Sequence, residues 1–275
     1  MYRIVRKEAL KPTVILYEIE APMVAKKAEP GQFIILRVDE KGERIPITIH
    51  DYDREKGTVT IIVQTVGATT EKLSHKQQGE CLHDFVGPLG RPTETEGKKK
   101  VCVVGGGVGC AIAYPVLKKF HDCGAEVHAV VGFKSKDVVI LEDKFKAVSS
   151  VLKVCTDDGS YGQKGLVTEA LKQLLDEGNQ YDEIFAIGPM VMMKFVCKTT
   201  EPYGVPTTVS MSPIMIDGTG MCGGCRLTVG GETKFACVDG PEVDWDLAVK
   251  RNQMYHDFEV HKHEEVCNLF KQEVK

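Results

Sequence analysis

Near the C-terminal end of the chain, the run DGTGMCGGCRLTV at residues 217–229 is followed by FACVDGP at residues 235–241. Cys222 and Cys225 are separated by two glycines, and Cys237 follows after eleven residues. Thiolates spaced in this way are ligands for iron or zinc. The Gly-Gly loop turns two of them toward one metal, and a hairpin with GGE at its tip brings back the third. Glycines lack a Cβ, so backbone N–H groups can close around bridging sulfides. A fourth donor is still needed. Asp217 stands where a cysteine would complete the pattern Cys-x4-Cys-x2-Cys-x11-Cys, so we read Asp217, Cys222, Cys225 and Cys237 as the ligands of one [2Fe–2S] cluster. The alternative is a zinc knuckle on the same thiolates, although structural zinc sites use cysteine or histidine at all four corners.

A second candidate lies where the apolar strand VCVV, residues 101–104, runs into Gly105, Gly106, Gly107 and Gly109 and then into a helical segment. A glycine-rich strand-to-helix turn lets the backbone approach a pyrophosphate at the helix N-terminus. Cys110 occupies the sixth place, so the turn is not a strict G-x-G-x-x-G; without a ligand it would be a tight turn only. Asp157 and Asp158, after the strand VLKVC, can accept hydrogen bonds from ribose hydroxyls and would repel a 2′-phosphate, which favours NAD over NADP. Either aspartate could equally cap its turn. Lys134, Ser135 and Lys136 either touch cofactor phosphates or form a solvated turn.

These groups need elements to position them. Residues 2–5, 13–19, 32–38, 45–50 and 58–63 are short alternating runs punctuated by Gly and Pro, which predicts an antiparallel β-barrel. The polar stretch 93–100 is the linker. Beyond it, apolar strands alternate with helical segments, which implies a parallel sheet covered on both faces, a Rossmann-like α/β domain. The expected organisation is therefore three domains: a barrel over residues 1–97, a dinucleotide domain over 98–209, and a small cluster domain over 210–275 that ends in a charged helical segment. So short and glycine-rich a C-terminal part has little core of its own and needs something besides hydrophobic burial to organise it.

Composition excludes several classes. The chain has 275 residues, 43% of them hydrophobic, and a formal charge of −4. Nothing in that balance attracts polyanions, so nucleic acid is not an expected partner. The N-terminus alternates polar and apolar residues without a signal-peptide h-region, and no run of about 18 apolar residues occurs. A soluble cytoplasmic protein with no membrane contact is expected. Of the ten cysteines, Cys102, Cys110, Cys155 and Cys197 sit inside apolar runs, where a thiol behaves as a small hydrophobe. A disulfide framework is not expected.

The order of barrel, dinucleotide fold and cysteine segment resembles the ferredoxin reductase superfamily across nearly the whole chain. Within it, the chain is similar to the flavin and iron–sulfur electron-transfer subunits of the dihydroorotate dehydrogenase type. Asp217, the run GERIPIT at residues 42–48 and the run ACVDGP at residues 236–241 most resemble the small subunits of electron-bifurcating, NADH-dependent reduced ferredoxin:NADP oxidoreductases. The glycine turn fits the GGGVG-x5-P form of that superfamily, with Pro115 as its last residue.

The resemblance implies an FAD site. Arg44, Pro46, Ile47 and Thr48 match its Arg-x-Pro-x-Ser/Thr strand, whose arginine pairs with FAD phosphate and whose backbone lies along the isoalloxazine. Taken alone, Arg44 would be a surface charge. Gly67, Thr69 and Thr70 resemble the loop and short helix that hold the pyrophosphate, though in isolation they form an ordinary N-cap. Gly87, in GPLG, closes the barrel in relatives, though by itself such a tetrapeptide is only a turn. Gly188, Pro189 and Met190 match the segment beside the nicotinamide, whereas Met192 and Met193 read as core. The implied cofactors are FAD, NAD and the [2Fe–2S] cluster, with hydride exchanged directly between nicotinamide and flavin and no acid–base residue. The implied partner is a larger flavin and iron–sulfur subunit in a heterodimer. That subunit oxidises NADPH, and ferredoxin is reached only through it, so bifurcation cannot reside in this chain alone. Two other readings stay open: the electron-transfer subunit of a dihydroorotate dehydrogenase, hydrogenase or sulfide dehydrogenase, and a non-enzymatic zinc-knuckle binding or redox module.

Overall fold

The computed structural model of the protein describes residues 1–244, so the helical reading of the charged C-terminal stretch lies outside the described residues. The first segment contains β1 (Tyr2–Lys11), β2 (Val14–Glu20), the short helix α1 (Pro22–Ala25), β3 (Phe33–Arg37), β4 (Ile45–Thr48), β5 (Asp51–Asp53) and β6 (Thr58–Gln64). Helix α2 (Ala68–His75), β7 (Cys81–Leu82) and β8 (Asp84–Leu89) complete it. All pairings are antiparallel, in a five-stranded sheet ordered β5-β6-β2-β1-β7 and a three-stranded sheet ordered β4-β3-β8. Ile4, Ile19, Ile34, Leu36, Val59 and Ile61 are fully buried between them. That core is the product of the period-2 apolar pattern.

The chain then passes through β9 (Lys100–Gly106), α3 (Cys110–Asp122), β10 (Glu126–Phe133), α4 (Glu142–Val148), β11 (Val151–Thr156) and β12 (Gln163–Lys164). It continues with α5 (Val167–Asp176), β13 (Glu183–Ile187), α6 (Met190–Thr200) and β14 (Thr207–Ser210). Strand β9 is buried along nearly its whole length, as a central parallel strand covered on both faces must be. Helix α5 buries Val167, Ala170, Leu171, Leu174 and Leu175, one face at helical spacing.

The cysteine segment adds the hairpin β15 (Arg226–Val229) and β16 (Glu232–Phe235), the short helix α7 (Ala236–Asp239) and β17 (Glu242–Asp244). Strand β17 pairs antiparallel with β14, giving a seven-stranded sheet ordered β12-β11-β10-β9-β13-β14-β17 whose other pairings are parallel. One apolar core runs through all three segments: Phe33 and Ile35 of the barrel pack with Val104, Ile184 and Val209 of the sheet and with Cys225, Leu227 and Cys237. Sequence reading had isolated the C-terminal part, but in the structure it shares the core of its neighbours.

Candidate functional site

The three segments converge on a cavity of about 540 Å3. One wall is barrel: Thr13, Val14, Phe33, Pro46, Thr48 and Gln64. A second is the C-terminal edge of the parallel sheet, with Gly106, Gly107, Val108, Gly109, Ile187, Gly188 and Pro189. A third comes from Ser210, Met211, Ser212, Met215 and Pro241, at the base of the cysteine segment. A smaller cavity of about 260 Å3 continues along Ile47, Val66 and Thr70. Ligands of open α/β sheets sit at the carboxyl ends of the strands, so the position is that of a binding crevice.

The glycine-rich wall is shaped by close backbone approach. A Cβ on Gly109 would lie 2.7 Å from the Ile187 carbonyl oxygen and 2.7 Å from Gly188 Cα. No side chain fits there, and this absence brings the β9 turn against Gly188 and Pro189. Gly107 has a φ of +56° and open space where a Cβ would stand, so the backbone at that point is accessible to a ligand. Of the methionines read as core, Met193 is buried, and half-buried Met192 packs its sulfur against Gly106.

The other nominated residues are distributed unevenly. Pro46 and Thr48 line the large cavity and Ile47 and Thr70 the smaller one. Arg44 instead donates from Nε to the Ile216 carbonyl at 2.7 Å and lies 3.4 Å from Asp84, tying the barrel to the residue before Asp217. Thr70 accepts from the Val66 and Gly67 N–H groups, at 2.9 and 3.0 Å, so its hydroxyl caps α2, and Gly67 N–H is not free. Thr69 donates to Glu43 at 3.3 Å. Gly87 lies inside β8 and not in a turn; a Cβ there would meet Ile34 at 2.7 Å. Asp158 accepts from Ser160 N–H and hydroxyl at 2.9 and 2.7 Å, which hold its carboxyl below the usual range and make it a turn cap. Asp157 is exposed, Lys134 lines the large cavity, and Lys136 N–H donates to Ser160. Met190 opens α6 behind Pro189.

At the cysteine segment the Cys225 and Cys237 sulfurs are 3.2 Å apart and buried. Burial and the Cys225 thiol push Cys237 up to about 12, so metal binding there must displace protons. Cys222 is exposed. The Asp217 carboxylate accepts from Thr219 N–H at 2.8 Å and Cys222 N–H at 2.7 Å, and these bonds, with the Cys222 thiol, lower its pKa. Gly220 N–H is directed at Cys237. Among the described residues no three such side chains form a ready-made metal site. The donor set nevertheless suits an iron–sulfur cluster: two thiols already paired, a third thiol and a carboxylate on one loop, and N–H donors aimed inward.

Sequence reading missed Phe33, Gln64, Ser210, Met211, Ser212 and Met215 as cavity walls. The available signal was SMSPIM, an apolar stretch too irregular for a strand, placed directly before the cysteines.

The fold is that of the ferredoxin reductases. A ferredoxin NADP+ reductase from Neisseria gonorrhoeae, with bound FAD and NADP, superposes with a TM-score of 0.60 at 18% identity, over 74% of this chain and 90% of that one. The structure of an NADH-dependent reduced ferredoxin-NADP oxidoreductase, studied for flavin-based electron bifurcation, matches 98% of both chains at 44% identity with a TM-score of 0.84. Residues 212–247 match the iron–sulfur cluster binding domain of dihydroorotate dehydrogenase B. A Thermotoga maritima protein described as a homolog of the dihydroorotate dehydrogenase B (NAD(+)) electron transfer subunit is 48% identical over 93% of this chain and 92% of its own. A Clostridium beijerinckii protein of unassigned activity is 52% identical over 93% and 90%. The chain belongs to the family of dihydroorotate dehydrogenase B electron-transfer subunits. It is an oxidoreductase subunit for electron transfer, and no described helix is long and apolar enough to cross a membrane.

Proposed function

We propose that this chain exchanges electrons between NAD(H) and a larger flavin and iron–sulfur partner within an electron-bifurcating, NADH-dependent ferredoxin:NADP oxidoreductase. The observation that carries the reading is the end-to-end match to that oxidoreductase, with a cavity walled jointly by barrel, dinucleotide fold and cysteine segment. Bound FAD supplies the conversion between hydride and single-electron traffic, and the cluster supplies the one-electron outlet. The chain's own part is geometric. Pro46, Ile47 and Thr48 present strand backbone to the isoalloxazine, while Gly67, Thr69 and Thr70 offer a helix start to its pyrophosphate. Gly105, Gly106, Gly107 and Gly109 admit the NAD pyrophosphate, and Gly188, Pro189 and Met190 hold the nicotinamide. Asp157 is free to meet a ribose. Arg44, engaged with Ile216, would reach an FAD phosphate only by exchanging that carbonyl. Among the described residues, Lys134 is the one ionisable side chain lining the large cavity, which suits direct hydride transfer.

Asp217, Cys222, Cys225 and Cys237 would hold the cluster, and Asp217 in place of a cysteine argues against a dihydroorotate dehydrogenase subunit. The nine described cysteines are free thiols, in keeping with a reducing cytoplasm. Purification with bound FAD and iron, NADH-dependent bleaching and copurification of a large flavin and iron–sulfur subunit are expected. A folded colourless protein containing zinc would overturn the reading in favour of a binding module.

A further inference from the structure

Helix α3 contains Pro115, which has no N–H, so the carbonyl of Ala111 four residues earlier loses its helical donor. Ala111 lies in the first turn, beside the glycine-rich wall. Its carbonyl is not left bare: buried His50 approaches with Nδ1 at 2.7 Å. A carbonyl can only accept, so Nδ1 carries the proton. Nε2 then accepts from the Lys144 ammonium at 3.2 Å. Burial, together with the Lys144 charge, holds His50 neutral by pushing its pKa down to about 4.

His50 comes two residues after Thr48, a lining residue of the barrel wall, and Ala111 two after Gly109, a lining residue of the opposite wall. The exit of β4 is itself fixed, since Ile49 N–H donates to the Gln32 carbonyl at 3.0 Å and His50 N–H to the Thr60 carbonyl at 2.9 Å. One buried hydrogen bond therefore joins the two walls, and Pro115 makes the acceptor available.

We propose that His50 is a positioning residue: its bond to the carbonyl freed by Pro115 sets the spacing between the flavin-facing strand and the glycine-rich turn that admits the dinucleotide. This rests on the functional reading above. It predicts that the direction of the donor matters more than its polarity. In His50→Asn the amide nitrogen takes the place of Nδ1; in His50→Gln it moves toward Lys144.

The test uses the full chain with its flavin. NADH-driven flavin reduction in a single turnover, NADH affinity and FAD content are measured, together with hydrogen exchange at the Ile49 and His50 amides without NADH. His50→Gln is expected to slow reduction about 10- to 100-fold, because small displacements at a reacting centre have effects of that size. Its NADH affinity should stay within about twofold, with unchanged FAD and about tenfold faster exchange. His50→Asn should stay within about threefold of the wild-type rate. Equal behaviour of Asn and Gln, or a wild-type rate and wild-type exchange in Gln, overturns the proposal. Should His50→Gln fail to fold, it is placed in Pro115→Ala, where the helix regains its N–H and the carbonyl is satisfied. The double variant should still be slow against Pro115→Ala alone, and an equal rate again overturns the proposal. A wild-type protein without flavin would sink the functional reading, while the exchange comparison would still decide the bond.

Discussion

The glycine-rich turn and the cysteine loop are built on opposite plans. At the turn, backbone crowds the glycines: the site of a Gly109 Cβ is taken by backbone at 2.7 Å, and β9 behind it is buried. In the loop, Met221 is 89% exposed and Cys222 is exposed, while the Asp217 hydrogen bonds and the buried Cys225–Cys237 thiol pair hold the two ends together. An organic cofactor can be met by a preformed crevice because the hydrophobic core supplies the rigidity. Thr219, Met221, Cys222 and Gly224 are exposed and add little to the shared core, so a bound ligand would supply much of the free energy that orders this part of the loop.

This contrast can be broken most forcefully at the turn. Gly109→Val drives a branched side chain into Ile187 and Gly188, and unfolding by denaturant should show a loss of about 2–4 kcal/mol with NADH reduction abolished. A variant as stable and active as wild type would mean that the turn is not preformed. At the loop, Cys225→Ala should lose the cluster iron yet keep FAD and NADH-driven flavin reduction, read by iron analysis and absorbance. Simultaneous loss of flavin would show that the two regions are not independent. Iron removal by a chelator should make the cysteine loop, and not the turn, sensitive to limited proteolysis. Asp217→Cys is milder: iron is retained and the cluster midpoint moves in potentiometric titration, an unchanged midpoint counting against carboxylate ligation.

The smallest effect lies at the seam between the regions. Glu242, half-buried on β17, accepts from the Thr93 hydroxyl at 2.9 Å, and burial pushes its pKa from an ordinary 4.5 up to about 7, with nearby Glu183 adding to the rise. The native state thus holds this proton more tightly than the unfolded chain does. The resulting stability is fully present below pH 4.5 and is lost as pH rises through 7. Glu242→Gln keeps a hydrogen-bonding group beside Thr93 and should stabilise the protein by about 1–2 kcal/mol at pH 8, with little gain at pH 4. Thermal unfolding at the two pH values measures the difference.

Patterns carried by contiguous residues were readable. TVTIIVQ alternates and forms β6; VCVV followed by glycines forms β9 and its turn, because each signal is local. Strands β5, β7 and β17 are only three, two and three residues long and exist because a partner strand is nearby, so no window of sequence announces them. Gly87 looked like a turn because the strand carrying it is interrupted by proline. At the site, the cluster ligands and the glycine turn are nominated from spacing and the flavin and nicotinamide segments from the family resemblance, but neither nominates Phe33, Gln64 or His50. Their roles depend on which segments meet, and His50 bonds to a carbonyl that Pro115, sixty-five positions away, leaves without its helical donor.

Ser210, the last residue of β14, is the sheet partner of Glu242, the first of β17. The polypeptide that bears the thiols therefore departs from the sheet and rejoins it at adjacent rungs, so topologically residues 211–241 are a single excursion. Such an excursion can be lengthened or shortened at its exposed turns while Met215, Leu227 and Cys237 keep their places in the shared core and β14 stays beside β13. The same nucleotide-handling body could thus be rewired to a different acceptor by changing only the exposed turns threaded between two neighbouring residues.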